Sequence, residues 1–211
     1  MQRKPPLAGP PRISTVAFDM GGVLTHTSFG GLETYGTTLG LRPGTFTGYF
    51  RGHPMMAKLE RREIASREFF KFVCIDTERA FGTRVDIREL AAAAAEGERL
   101  NPEMVDLVRS VRRCCKTALL TNNVAEAGWR ASFPFDLFDW VIDSSEVGVR
   151  KPDPLIYEKL LTVSASAAEN TAFIDDLPEN IAPANAIGIH GILFTGIDGL
   201  RRALERLGVA V

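Results

Sequence analysis

The chain is short of cysteine, of long apolar runs and of net charge, and each shortage removes a class of protein. Its 211 residues include three cysteines, Cys74, Cys114 and Cys115, with no CxxC spacing, so neither a disulfide framework nor a zinc site is expected. Adjacent Cys114 and Cys115 cannot point the same way from an extended segment. Buried, unbridged thiols suited to a reducing cytoplasm are therefore expected. No stretch approaches the roughly 18 apolar residues of a membrane-spanning helix, and no membrane partner is expected. Lys and Arg total 25 against 26 Asp and Glu, which leaves a formal charge of −1 and no electrostatic reason to expect nucleic acid. No GxGxxG follows the first apolar run and no GxxxxGKS/T occurs, which sets nucleotide-cofactor chemistry aside. Prolines interrupt residues 1–12, which are expected to form a disordered tail and not a signal peptide.

What is present is core material and a pattern. Hydrophobic residues make up 45% and charged residues 24%, enough for one sizeable domain with an inserted smaller unit. Residues 13–19 are short, apolar and followed by glycines, as befits a buried parallel strand. No comparable β run occurs over residues 25–100. Amphipathic segments at 64–75 and 87–95 lie there instead, between Gly/Pro breaks at 41–44 and 52–54. From Asn101-Pro102, an N-cap with proline at the first helical position, helices and strands alternate. Strands are expected at 116–120, 140–142, 171–174 and 190–194. Helices are expected at 102–112, 125–131, 155–161, 180–187 and 200–207. The spacing predicts an α/β fold, a doubly wound parallel sheet formed by residues 13–24 and 101–211, with 25–100 inserted as a helical cap.

In such sheets ligands bind beyond the carboxyl ends of the strands, and four polar pieces fall there. They are Asp19-Met20-Gly21-Gly22, Thr121-Asn122-Asn123, Lys151 in Arg150-Lys151-Pro152-Asp153-Pro154, and Asp175-Asp176. Each has a plain structural reading: a glycine turn, an N-cap, a solvated lysine before a helix start. Asp175-Asp176 resists that treatment, because adjacent acids after an apolar strand repel each other and lose hydration unless a cation is near. A carboxylate nucleophile, a hydroxyl, a cation and an acidic pair at one end of one sheet suit phosphoryl transfer through a phosphoaspartate.

Residues 144–157 and Phe173-Ile174-Asp175-Asp176, with Asn180 following, carry a further signal. The chain resembles haloacid dehalogenase (HAD) superfamily hydrolases with a helical cap after the first strand. Its Asp-Met-Gly-Gly-Val-Leu opening is similar to the branch containing the N-terminal phosphatase domain of soluble epoxide hydrolases. The resemblance implies a Mg²⁺-dependent phosphatase acting on a small phosphorylated metabolite, with a sugar phosphate as one option. Asp19 would be the nucleophile, and Mg²⁺ would take Asp19, the main-chain carbonyl of Gly21 and Asp176, with Asp175 as ligand or close neighbour. Thr121 and the amides of Gly21 and Asn122 would bind phosphoryl oxygens, Lys151 would offset charge, and Asn180 would order the acidic loop beside the phosphate.

The departure from that pattern is Gly21, where most phosphatases of the superfamily carry an aspartate that protonates the leaving group. Its loss costs about 10²–10⁴ in rate. A good leaving group, a cap residue, a water molecule or a binding role would each accommodate it. A 2-haloacid dehalogenase is the enzymatic alternative, though it would leave Asp175-Asp176 unexplained. In the cap, His26 lies just beyond the first loop, where it could reach the site, though a surface histidine is the plainer reading. His53, Met55, Met56 and the Arg61-Arg62 pair are ambiguous between entrance and surface or core. Tyr49, Phe50, Phe69, Phe70 and Phe72 are expected as cap core, and His190 as structural.

Overall fold

The computed structural model describes residues 13–27, 29–96, 98–126 and 133–211. Its strands in chain order are β1 (Thr15–Phe18), β2 (Thr25–Thr27), β3 (Glu98–Leu100), β4 (Lys116–Thr121), β5 (Trp140–Asp143), β6 (Thr171–Asp175) and β7 (His190–Leu193). Five of them pair in parallel, in the order β5-β4-β1-β6-β7. The chain starts at the centre, winds outward through β4 and β5, then returns to the other side of β1. That reversal puts the ends of β1, β4 and β6 next to one another, with Phe18 opposite both Leu119 and Ile174.

Alternation of side chains along each strand sends successive residues to opposite faces, and here both faces are covered. Val16, Phe18, Leu119 and Ile174 pack on helices α6 (Pro102–Val111) and α10 (Ile197–Arg206) through Met104, Leu107, Val108, Leu200 and Leu204. Ala17, Leu120 and Phe173 pack on α8 (Pro154–Ser164) and α9 (Pro178–Ala186) through Ile156, Tyr157, Leu160 and Ile181. Each such large side chain, fully buried, contributes about 1.5–3 kcal/mol. The expected caps form: Asn101 accepts from the Glu103 amide and Asp153 from the Leu155 amide, each with proline at the first position.

Between β2 and β3 lie α1 (Gly30–Thr38), α2 (Thr45–Phe50), α3 (Pro54–Glu60), α4 (Ser66–Phe81) and α5 (Ile87–Ala95). They close over their own apolar cluster, with Leu32, Phe46, Tyr49, Leu59, Phe69, Val73 and Leu90 buried and Phe50, Phe70 and Phe72 packed around it. The insert enters and leaves through the antiparallel pair β2–β3, Thr25 facing Leu100, and Asn101 N–H donates to the Leu24 carbonyl at 2.8 Å. These two strands are an addition to the expected pattern. At three residues each, Thr-His-Thr and Glu-Arg-Leu, they carry no apolar run to announce them.

The thiols need correcting. Cys74, on α4, is half-buried; Cys114 is exposed and Cys115 half-buried, because these two sit in the turn between α6 and β4 and not on an extended segment. Their sulfurs are 3.8 Å apart without a disulfide. The tail at 1–12 and most of the helix expected at 125–131 lie outside the described residues. Among the described residues, no helix is long and apolar enough to cross a membrane.

Candidate active site

The β1 strand delivers Asp19, whose amide still bonds to the Ile174 carbonyl of β6 at 2.9 Å. The chain then turns back on itself: the Met20 carbonyl accepts from the amides of Leu24 and Thr25, both at 2.9 Å. Gly22 makes the turn with φ of 78°, in the left-handed region that favours glycine. A Cβ on Gly22 would also lie 2.4 Å from Asp176 Oδ2. Two constraints therefore meet at Gly22. Gly21, which forms an isolated bridge with Thr25, is outside the positive-φ set.

Lys151 is the centre of the site. Its residue is 1% exposed, and its Nζ lies 2.6 Å from Asp19 Oδ1 and 2.6 Å from Asp175 Oδ2. Asp175 is 0% exposed and fully engaged: Oδ1 accepts from the Leu177 amide at 2.9 Å, and the Asn180 amide group donates to both oxygens at 3.0 Å. Asn180 is in turn tied to the core, its carbonyl accepting from Tyr157 Oη at 2.7 Å. Asn122 holds Lys151 by its backbone, donating to the Lys151 carbonyl at 3.0 Å and accepting from its amide at 2.8 Å. This clamp escaped sequence reasoning, which gave Asn122 only a backbone role, and no local signal marks it. Thr121, 1% exposed, ends β4 opposite Asp143.

Carboxylate oxygens of Asp19, Asp175 and Asp176 lie within 4.8 Å of one another. One ammonium faces three acids, so negative charge is in surplus. Burial pushes the Asp19 carboxyl up to about 7, against the pull of Lys151 and with the repulsion of Asp175. Burial, then Asp175, also raises Asp176, which makes no ion pair among the described residues. The flanking carboxylates hold Lys151 above its ordinary value despite its burial. A compact, oxygen-rich, electron-rich cluster of this kind fits a hard divalent cation.

The other candidates sit elsewhere or serve the fold. His26 is exposed on β2, and His53 caps α3 by accepting from the Met55 amide at 3.1 Å. Met55 and Met56 pack on the insert's apolar cluster. Arg61 pairs with Glu63 at 2.6 Å, and His190 Nε2 meets the Glu169 carbonyl at 3.0 Å.

Sequence comparison places the chain in a class of hydrolases. Residues 13–188 match the haloacid dehalogenase-like hydrolase family, and the chain belongs to it. It is similar to bifunctional epoxide hydrolase 2 of Sus scrofa, 29% identical over 129 residues, 57% of this chain and 23% of that protein. It is also similar to the sesquiterpene phosphatase astK of Aspergillus oryzae, 38% identical over 73 residues, 35% of this chain and 36% of that protein. The chain thus matches well under half the length of these relatives. Among solved structures, a HAD family enzyme from Bacteroides thetaiotaomicron, in complex with magnesium and inorganic phosphate, superposes with a TM-score of 0.69 at 22% identity. That match covers 86% of this chain and 93% of that one.

Proposed function

We propose that the chain is a Mg²⁺-dependent phosphatase that hydrolyses a small phosphorylated metabolite, a sugar phosphate being one option, through an aspartyl phosphate on Asp19. The observation that carries this reading is Lys151 Nζ at 2.6 Å from both Asp19 and Asp175, with Asp176 beside them. Similarity to a protein described as a phosphatase supports it. Asp19, Asp176 and the Gly21 carbonyl would hold Mg²⁺, and Asp175 would brace them through its bonds to Asn180 and Leu177. Bound there, the ion would supply positive charge against the transferring phosphoryl group.

Asp19 attacks phosphorus in line, forming one O–P bond as the bond to the leaving oxygen breaks. Lys151 keeps the nucleophile oriented and offsets the charge that builds on the phosphoryl oxygens. Thr121 and the amides of Gly21 and Asn122 receive those oxygens. The departing oxygen takes its proton from a source other than residue 21, which favours substrates with good leaving groups. Water then attacks the aspartyl phosphate, releasing inorganic phosphate and restoring the Asp19 carboxylate. Asn180 positions Asp175 and does not touch phosphate, since its amide is committed to both Asp175 oxygens.

A panel of phosphorylated metabolites and 2-haloacids, assayed with Mg²⁺ and with EDTA, tests the reading. Mg²⁺-dependent phosphate release is expected. Halide release that survives chelation points to a dehalogenase, and neither product points to a binding role.

A further inference from the structure

We propose that Glu60 is a positioning residue that seats the insert on the core through Arg150 and thereby sets the placement of Lys151; this rests on the phosphatase reading above. Glu60 is the last residue of α3 and is 8% exposed, although carboxylates are almost never buried without a partner. Its partner crosses from insert to core: Arg150 Nε lies 2.6 Å from Glu60 Oε2. Burial raises the Glu60 carboxyl, and the Arg150 guanidinium beside it pulls the other way, so each charge depends on the other. A second contact stands beside the first. The Glu60 carbonyl accepts from Ser144 Oγ at 2.7 Å, and that hydroxyl in turn accepts from the Asn123 amide at 3.0 Å.

Arg150 immediately precedes Lys151. The Lys151 backbone is clamped by Asn122, and its ammonium bridges Asp19 and Asp175. Asn122 and Asn123 belong to the same segment that follows β4. Ser144 opens the short helix α7 (Ser144–Val147) after β5, so both Glu60 contacts land on the segment that carries Lys151, and the Ser144 hydroxyl extends the second of them to the Asn122–Asn123 segment. A buried ion pair is a weak source of stability, since an apolar pair of like volume does as well or better. Its value here is geometric, because a misplacement of about 1 Å at reacting groups costs up to about 10²-fold in rate.

The test uses the full chain with Mg²⁺ and a series of aryl phosphates that differ in leaving-group pKa. Glu60→Gln keeps shape and removes charge. The expected result is a fall in kcat of about 10- to 100-fold, equal across the series, with KM changed by less than about twofold. Hydrogen exchange over residues 144–151 and 54–60 should rise together. Unchanged kcat with a lowered Tm would make Glu60 merely structural and overturn the proposal. So would a loss that steepens with leaving-group pKa, which marks a proton donor. If Glu60→Gln does not fold, Arg150→Lys, which retains the charge but not the guanidinium, is read in the same way. If the wild type releases no phosphate from any substrate, the phosphatase reading fails on its own. The exchange comparison then decides the latch, with unchanged protection at 144–151 overturning it.

Discussion

Lys151→Met replaces the shared ammonium by an apolar chain of similar reach and leaves Asp19 and Asp175 facing each other without a cation. Removing one partner of a buried ion pair costs about 3–5 kcal/mol. With Lys151 at 1% and Asp175 at 0% side-chain exposure, solvent screening offers little relief. At 2–4 °C per kcal/mol for a chain of this size, Tm should fall by roughly 6–20 °C in EDTA at about pH 8. The pH dependence follows from Asp19, whose folded pKa of about 7 lies above the ordinary carboxylate value of 3.8. Between those two values the native state holds a proton that the unfolded state has lost, so stability declines as pH rises through that window. Without Lys151 the window extends higher. At about pH 5.5 Asp19 is protonated with or without Lys151, so the difference between variant and wild type should be smaller there than at pH 8. Mg²⁺ should recover part of it at pH 8 by substituting for the missing charge. Urea denaturation at both pH values, with EDTA or Mg²⁺, gives the comparison. A difference below about 1 kcal/mol at pH 8, or one independent of pH, would refute the account of Lys151 as the charge that holds the two carboxylates together.

Asp19→Asn should fold normally and lose phosphate release to background, and retention of more than a few per cent of turnover would exclude the phosphoaspartate route. Gly21→Asp should raise turnover most for poor leaving groups, by up to about 10²–10⁴-fold, with no φ penalty at that position; a flat leaving-group dependence in the wild type would show that protonation is already supplied. Gly22→Ala should cost at least about 1 kcal/mol and blunt the thermal shift given by Mg²⁺, because its Cβ falls 2.4 Å from Asp176 Oδ2. An unaltered Mg²⁺ response in that variant would mean that Asp176 has room to move.

The parallel strands were legible because they read as short apolar blocks, the inner ones buried on both faces. The expected 116–120, 140–142 and 171–174 appear as Lys116–Thr121, Trp140–Asp143 and Thr171–Asp175. Proline and N-cap chemistry likewise located the starts of α6 and α8. The early helices of the insert were harder, since Gly30–Thr38 and Thr45–Phe50 are rich in Gly and Thr and hold together by tertiary packing, not propensity. At the site, the sequence marks Gly21 by its missing acid and leaves the neighbour with the stricter demand, Gly22, unmarked. That demand depends on Asp176, which lies far along the chain. The Asn122 clamp and the Ser144–Glu60 bond are long-range pairings too, and no window of local sequence contains both partners.

The β2–β3 pair has a consequence for how the chain finds its fold. Neighbours β1 and β4 are separated in sequence by the entire insert, so their pairing carries the closure entropy of a long loop. If the insert collapses on its own apolar cluster and zips Thr25 against Leu100 first, the effective loop shortens roughly fourfold, a saving of about 1 kcal/mol in closure entropy. The two three-residue strands then act as a staple that makes a distant partner local. A chain in which β2 and β3 cannot pair should refold more slowly while keeping much of its final stability.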